Sequence, residues 1–279
     1  MTYNLWSDLS KDLSSLIDND DDYNDYNVII KVGEKEFRAH SNILRCRSNY
    51  FRHAISKNWW SMNENKKFVL SKPNMKPEVF DAVLNGSFNF NEFSPQIILE
   101  ILEASDEFIL ESLIDTIQTY MIEKQSEWLQ LNIINPLNIV CKHDHITKLR
   151  NHLTELVCKK PHLLFASMDF PLLEESALIY VLKQDDLELE EMKILENVIN
   201  WGAANSNPKL SQDRTKWTNN DLLELKRTLH HCIPFIRFFH IHYNDVMRTP
   251  FQDILSKKVK NNVRNYHLNP YTTERLQAG

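Results

Sequence analysis

The chain has 279 residues, of which 42% are hydrophobic and 25% are charged, a composition typical of globular proteins. Its formal net charge is −6, so no overall positive field attracts phosphates, which argues against nucleic-acid binding. Only 4 residues are glycine, which disfavours turn-rich all-β folds and glycine loops that cradle phosphate. The sequence therefore favours a mainly helical protein with one large domain or two modest ones.

No apolar run is long enough to cross a bilayer, and the first ten residues lack the apolar core of a signal peptide. The four cysteines lie far apart and form no CxxC pair. We therefore expect no membrane association, free thiols, and a cytoplasmic or nuclear location.

The N-terminal segment, residues 1–25, combines an amphipathic helix with an acidic linker. Apolar residues recur at helical spacing at Leu5, Leu9, Leu13 and Leu16. The aspartates from residue 18 onward alternate as in a calcium loop, but that loop needs Gly at its sixth position and Glu at its twelfth. Tyr23 and Ile29 stand there instead, so we interpret the segment as a solvated linker.

A hairpin leading into two short helices follows. A β-branched apolar run at 28–32 predicts a strand, Gly33-Glu34 predicts a turn, and the alternation over 35–39 predicts a second strand. Helical spacing begins directly afterwards, with Ser48 placed to cap the second helix.

These residues resemble the opening of the BTB/POZ domain family. The matching elements are Val32-Gly33, then Phe37-Arg38-Ala39-His40, then Ser48-Asn49-Tyr50-Phe51. Asn27 stands where the family commonly has Asp, and Ser41 where it commonly has Lys. The resemblance implies a small sheet flanked by short helices over 26–122. It also implies a homodimer in which the N-terminal helix, through Leu5, Leu9, Leu13 and Leu16, packs on the partner; packing on its own domain is the alternative.

The polar segment after the second helix contains isolated apolar residues, among them Trp59 and Met62, which commonly mark a contact surface on a loop. Part of the BTB family carries a hydrophobic-x-Glu motif here that helps to bind a cullin-3 scaffold. Met62-Asn63-Glu64 matches that motif. The resemblance implies that Met62 fills a pocket on the cullin and that Glu64 adds a polar anchor, and we take Trp59 as a third candidate for this contact. Alternatively, the apolar residues only cover the hairpin.

Three more helices complete this domain, the first opened by Pro77 and the second by Ser94-Pro95. A connecting helical segment, 123–135, is expected to end where Asn135-Pro136 breaks it.

The remaining sequence, 136–268, predicts helix after helix, with a tail at 269–279. Leu182-x-x-Asp185-x-Leu187 and Val198-x-x-Trp201 resemble the core of the BACK domain, an all-α arrangement of antiparallel helix pairs. We expect Asp185 to cap the turn between two helices, Leu187 to fill it, and Trp201 to seal the far end.

A basic patch near the C-terminus contains Lys257, Lys258, Lys260 and Arg264. We interpret it as a solvated helix face, with contact to an acidic partner as the alternative.

Metal-binding residue types occur at Cys141-x-His143-x-His145 and His230-His231-Cys232. They lack the two tight pairs of a structural zinc site, and the first set would diverge around a helix. Glycine-rich nucleotide motifs, HExxH and GxSxG are absent from the sequence. We therefore expect no metal, no cofactor and no catalysis.

Together these features predict an α+β, mainly helical protein with a BTB/POZ fold followed by a BACK domain. The resemblance implies a homodimeric adaptor that binds a cullin-3-type scaffold and presents an unknown protein substrate for ubiquitination. A BTB-mediated dimeric scaffold without ubiquitin-ligase function is the alternative.

Overall fold

The computed structural model describes residues 26–56, 61–62, 64, 67–85, 89–248 and 251–268. These residues form two compact units, one comprising the residues up to 128 together with 143–149, and the other comprising 129–142 and 150–268. The proposed dimerisation residues Leu5, Leu9, Leu13 and Leu16, the acidic linker and the 269–279 tail lie outside the described residues.

The first unit is built on a four-stranded sheet. Its strands are β1 (Val28–Val32), β2 (Lys35–Ala39), β3 (Ser61–Met62) and β4 (Phe68–Ser71), in the order β2-β1-β4-β3. β1 pairs antiparallel with β2 and parallel with β4. Gly33 has φ +55° in the turn between β1 and β2, a conformation that glycine adopts without steric cost. The predicted hairpin is thus confirmed in both strands and in the turn.

Among the described residues, five helices accompany this sheet. They are α1 (Ser41–Arg47), α2 (Asn49–Ser56), α3 (Pro77–Asn85), α4 (Pro95–Glu107) and α5 (Glu111–Lys124). Ser94 caps α4 by accepting a hydrogen bond from the Ile97 N–H, as the sequence predicts. Gly86, the expected stop of α3, lies outside the described residues.

An aromatic cluster forms the centre of the first unit. The Phe108 ring stacks on the Phe51 ring at 5.1 Å between centroids, and meets Tyr50 and Phe80 edge-on at 5.3 and 5.7 Å. Phe37 of β2 reaches Phe80 at 4.9 Å. Edge-to-face and stacked ring contacts therefore connect helices α2 and α3 to the sheet. These contacts stabilise the unit beyond the burial of hydrophobic area.

The second unit is helical among its described residues. After α6 (Ser126–Leu131), its helices are α7 (Ile134–Lys142), α8 (Thr147–Lys159), α9 (His162–Phe165), α10 (Glu175–Leu182), α11 (Glu191–Asn205), α12 (Asn219–Thr228), α13 (Tyr243–Val246), α14 (Phe251–Ile254) and α15 (Lys257–Leu268). The predicted α+β, mainly helical class is confirmed.

One predicted helix break is wrong. Asn135-Pro136 was expected to end a helix, but both residues lie in the first turn of α7 and Pro136 is buried. The first N–H groups of a helix have no partner within it, so proline is tolerated there. The chain instead changes direction just before, at residues 132–133.

None of the described helices combines the length and apolar character that a bilayer-spanning segment needs.

Candidate protein-interaction site

Met62 lies at the edge of the described sheet. Strand β3 pairs antiparallel with β4, with Met62 opposite Phe68, and among the described strands it is the outermost on that side. Glu64 follows in a turn and is exposed. Of the three residues proposed to contact a cullin, Glu64 is therefore presented to solvent and Met62 has its backbone at the edge strand, whereas Trp59 lies outside the described residues.

Helix α2, which leads towards this edge, is fixed by a capping serine. The Ser48 hydroxyl accepts a hydrogen bond from the Phe51 N–H at 3.2 Å and donates one to the Phe108 carbonyl at 2.5 Å. The predicted cap is confirmed. Its second bond, to a residue 60 positions away, anchors the start of α2 to the aromatic cluster.

Lys72, directly after β4, connects the sheet to two helices. Its ammonium forms an ion pair with Glu107 of α4 and lies 5.1 Å from the Tyr50 ring centroid of α2. Burial opposes the charge on Lys72, but hydrogen bonds with Glu107 and Tyr50 outweigh it, so the pKa of Lys72 is raised. The strand behind the Met62–Glu64 turn is thus held at its far end.

The two departures from the family pattern contact each other. The side-chain oxygen Oδ1 of Asn27 accepts a hydrogen bond from the Ser41 backbone N–H at 2.8 Å. The side-chain Nδ2 of Asn27 donates one to the Ser41 hydroxyl at 2.8 Å. The His40 side chain, at the N-cap position of α1, does not cap the helix. Asn27 therefore caps α1 from a distance of 14 residues, through a neutral pair. In the sequence, this cap is indicated by the fact that positions 27 and 41 both depart from the family pattern.

A surface groove of about 590 Å³ lies between the end of α1, the start of α2 and the start of α5. Arg47 at its wall donates to the carbonyls of Leu84 and Val83 at the end of α3, and burial lowers the Arg47 pKa. Ile109, also in the wall, has φ +54°, which is strained for a β-branched residue. This groove could not be predicted from the sequence, because its wall comes from separate segments.

In the second unit, Asp185 has a different role from the expected one. Its side chain accepts a hydrogen bond from the Arg237 guanidinium at 2.9 Å. Helix α11 has Glu190 at its N-cap position and no side-chain capping bond. The buried Glu191 carboxylate accepts from the Arg237 N–H at 2.7 Å. The expectation that Asp185 caps the helix turn is therefore wrong: it joins an ion-pair network centred on Arg237.

The other two expectations for this core are confirmed. Leu187 is buried, and Trp201 is 4% exposed. The Trp201 indole N–H donates to the Leu173 carbonyl at 2.7 Å. The buried Leu173 carbonyl, two residues before α10, thus has a hydrogen-bond partner in a side chain of α11.

The Cys-x-His-x-His segment does not diverge around a helix as expected, because α7 ends at Lys142. His143 and His145 lie in the following turn, and both rings contact the Asp106 carboxylate, at 2.8 and 3.0 Å. Within the described parts of the chain, no group of three or more histidine, cysteine or acidic side chains is placed to hold a metal ion.

Three of the cysteines are poor nucleophiles. Burial raises the pKa of Cys141 to about 11, and that of Cys158 and Cys232 to about 12. These thiols are protonated at neutral pH, and a thiol nucleophile or metal ligand must be deprotonated.

Comparison with protein families matches two domain models. The BTB/POZ domain model matches residues 19–125, and the model of the BACK domain, described as BTB And C-terminal Kelch, matches residues 136–214.

Similar proteins cover parts of the chain. Kelch-like protein 40 of Xenopus tropicalis is 24% identical over 196 residues, which are 69% of this chain and 30% of that protein. The chain therefore spans less than a third of this relative. The solved BTB domain of zebrafish PATZ1 is 22% identical, covers 44% of this chain and 99% of its own, and superposes with a TM-score of 0.36.

Proposed function

The chain carries a BTB/POZ domain followed by a BACK domain, and we propose that it is a protein–protein adaptor for a cullin-3-type ubiquitin ligase. In this proposal the BTB domain forms a homodimer and binds the cullin, and the second unit positions a protein substrate. The proposed partition keeps the sequence-based bounds of 26–122 for BTB and 136–268 for BACK, with 123–135 as the connection.

The observation that supports cullin binding is the position of Met62 and Glu64. A BTB domain with a hydrophobic-x-Glu motif matches the pattern of cullin-binding family members, and here that motif lies at an edge strand with its glutamate exposed. Among the described strands, β3 is paired on one side only. A partner can therefore reach this segment without rearrangement of the sheet.

The adaptor needs no catalytic group of its own. A substrate held beside a ligase-bound ubiquitin donor experiences a high effective concentration of that donor, which accelerates transfer by proximity and orientation. The role of this chain is then to hold two partners in a fixed geometry. The Ser48 and Lys72 anchors, which tie α2 and β4 to the aromatic cluster, provide the rigidity that this role requires.

A direct binding measurement tests the proposal. The full chain and its Met62→Ala/Glu64→Lys variant are titrated with the purified N-terminal region of cullin-3, and the dissociation constants are compared by calorimetry. We expect the variant to bind at least about tenfold more weakly, because it loses an apolar anchor and reverses a charge.

The matched control is Met75→Ala/Glu78→Lys, which makes the same two changes at another surface of the same unit, where Glu78 is exposed. It is expected to bind as the wild type does. If the folded wild-type chain shows no cullin binding, the ligase role is excluded, and a dimeric BTB scaffold without ligase function becomes the better description.

A further inference from the structure

A second groove, of about 400 Å³, lies in the helical unit between α12 and α15. Its residues, 226–263, follow residue 214, where the match to the BACK family model ends. The floor is apolar and nearly fully buried, formed by Ile236, Phe238, Ile254 and Val263. This groove is therefore a preformed apolar depression outside the matched domain core.

Exposed apolar side chains extend the groove at its sides. Phe239 lines it and is 37% exposed, with its ring packed 4.8 Å from that of Tyr266. Leu223 is 57% exposed and lies one helical turn before Lys226, on the same face of α12. An occupant with several apolar side chains would cover surface that is now in contact with water.

Cations form the rim. Lys226 lines the groove from α12, and Val259, Asn262 and Val263 line it from α15. Since those three residues face inward, helical geometry places Lys258 and Lys260 on the two flanks of that face.

None of the three rim lysines forms an ion pair with another described residue. Helix α15 itself contains no acidic residue. Two other cations of this unit are paired with carboxylates, Arg227 with Glu224 and Arg248 with Asp245. A chain whose formal net charge is −6 thus presents a local positive rim around an apolar floor.

We propose that this groove binds an acidic peptide segment of a partner protein, with two or three apolar side chains in the groove and carboxylates on the rim lysines. Charge complementarity selects a protein segment with Asp or Glu between its apolar residues. The proposal rests on the adaptor function, because it assigns the groove as the place where a substrate is held.

The test is a selection of random 16-residue peptides displayed on phage against the full chain, followed by anisotropy titration of the enriched peptides. We expect the enriched sequences to combine acidic residues with two or three large apolar ones. Replacing the apolar residues of such a peptide by serine should abolish binding, and raising the salt concentration should weaken it.

Two charge-matched variants locate the site. Lys226→Glu/Lys258→Glu/Lys260→Glu reverses the rim and should weaken peptide binding by about tenfold or more. Lys209→Glu/Lys257→Glu/Arg264→Glu makes the same change in net charge on exposed side chains away from the groove lining, and should bind as the wild type does.

The proposal is overturned if selection enriches no peptide, if the enriched peptides lack acidic residues, or if the two variants bind equally. It is also overturned if the rim instead binds vesicles of anionic phospholipid or a single-stranded RNA oligonucleotide while the peptides do not. Cullin is absent from this experiment, so its result is independent of whether the cullin contact exists.

Discussion

At the scale of single residues, a neutral pair replaces the charges that the family pattern leads one to expect. Asn27 and Ser41 exchange two hydrogen bonds of 2.8 Å, and one of them satisfies the first N–H of α1. The side chain that caps this helix therefore comes from the residue before β1. The start of the sheet and the start of α1 are coupled through one amide.

Substitution of Asn27 tests this coupling. Asn27→Leu leaves the Ser41 N–H and hydroxyl without their partner and should lower the free energy of unfolding by about 1–2 kcal/mol. Asn27→Asp should stay within about 0.5 kcal/mol of wild type, because the carboxylate still accepts from the Ser41 N–H and is favourable at a helix N-terminus. The bond that the Asn27 amide donates is replaced by one that the Ser41 hydroxyl donates to the carboxylate. Urea unfolding of both variants gives the comparison. An equal decrease of the free energy of unfolding in both variants would show that Asn27 does not stabilise the protein through the capping bond.

The buried thiols give a prediction for alkaline pH. The folded pKa values of Cys158 and Cys232 lie at about 12, above the ordinary value of 9.0, because burial disfavours the thiolate. The unfolded chain therefore loses these protons first. The stability that the buried thiols contribute is fully present below pH 9 and is lost as the pH rises from 9 towards about 12.

This loss is measured as the change of the urea midpoint between pH 8 and pH 10.5. Other groups titrate in the same window, so the slope is compared with that of Cys158→Ala/Cys232→Ala, which should be shallower even though its midpoint at pH 8 is lower. Equal slopes for the two proteins would contradict the assignment.

At the scale of elements, α11 and α12 pack closely because one position carries no side chain. A Cβ at Gly202 would lie 2.6 Å from Leu229 Cδ2 and 2.9 Å from Leu225 Cδ1. Both leucines are buried, so neither moves without disturbing its neighbours. The close approach of the two helices thus depends on glycine.

Gly202→Ala should lower the free energy of unfolding by about 1–3 kcal/mol, although alanine favours helices, because overpacking outweighs helix propensity. The control is Glu196→Ala on the exposed face of α11, which should be neutral within about 0.5 kcal/mol. Thermal unfolding of both variants distinguishes them, and a stabilised Gly202→Ala protein would contradict the packing.

The sequence predicts those elements that depend on residues close to one another in the chain. The Gly33 turn, the Ser48 and Ser94 caps and the buried Trp201 each follow from residue types within one or two helical turns. The Asp185 cap failed because its partner, Arg237, lies 52 residues later.

The same limit applies to the sites. The Met62-x-Glu64 motif can be identified in the sequence because its residues are contiguous. Each groove is formed by residues from separate segments, so no short stretch of sequence indicates it. The basic residues of α15 were visible in the sequence. Their position beside an apolar floor was not, because three of the four floor residues, Ile236, Phe238 and Ile254, lie outside α15.

At the scale of the whole molecule, the proposed function requires that two copies of the chain act together. The family resemblance assigns the N-terminal residues Leu5, Leu9, Leu13 and Leu16 to the dimer contact, outside the described residues. Deletion of residues 1–20 should therefore shift the chain from dimer to monomer or aggregate in size-exclusion chromatography with light scattering. A deletion variant that remains a dimer would assign the contact to other surfaces.

The central claim is that a dimeric BTB domain holds cullin, and the mass of the complex in solution tests it most directly. The full chain is mixed with the purified N-terminal region of cullin-3 and measured by size-exclusion chromatography with multi-angle light scattering. The account predicts a complex with two copies of each component, and the Met62→Ala/Glu64→Lys variant should elute as a dimer without cullin. A folded wild-type dimer that elutes separately from cullin at every ratio would contradict it.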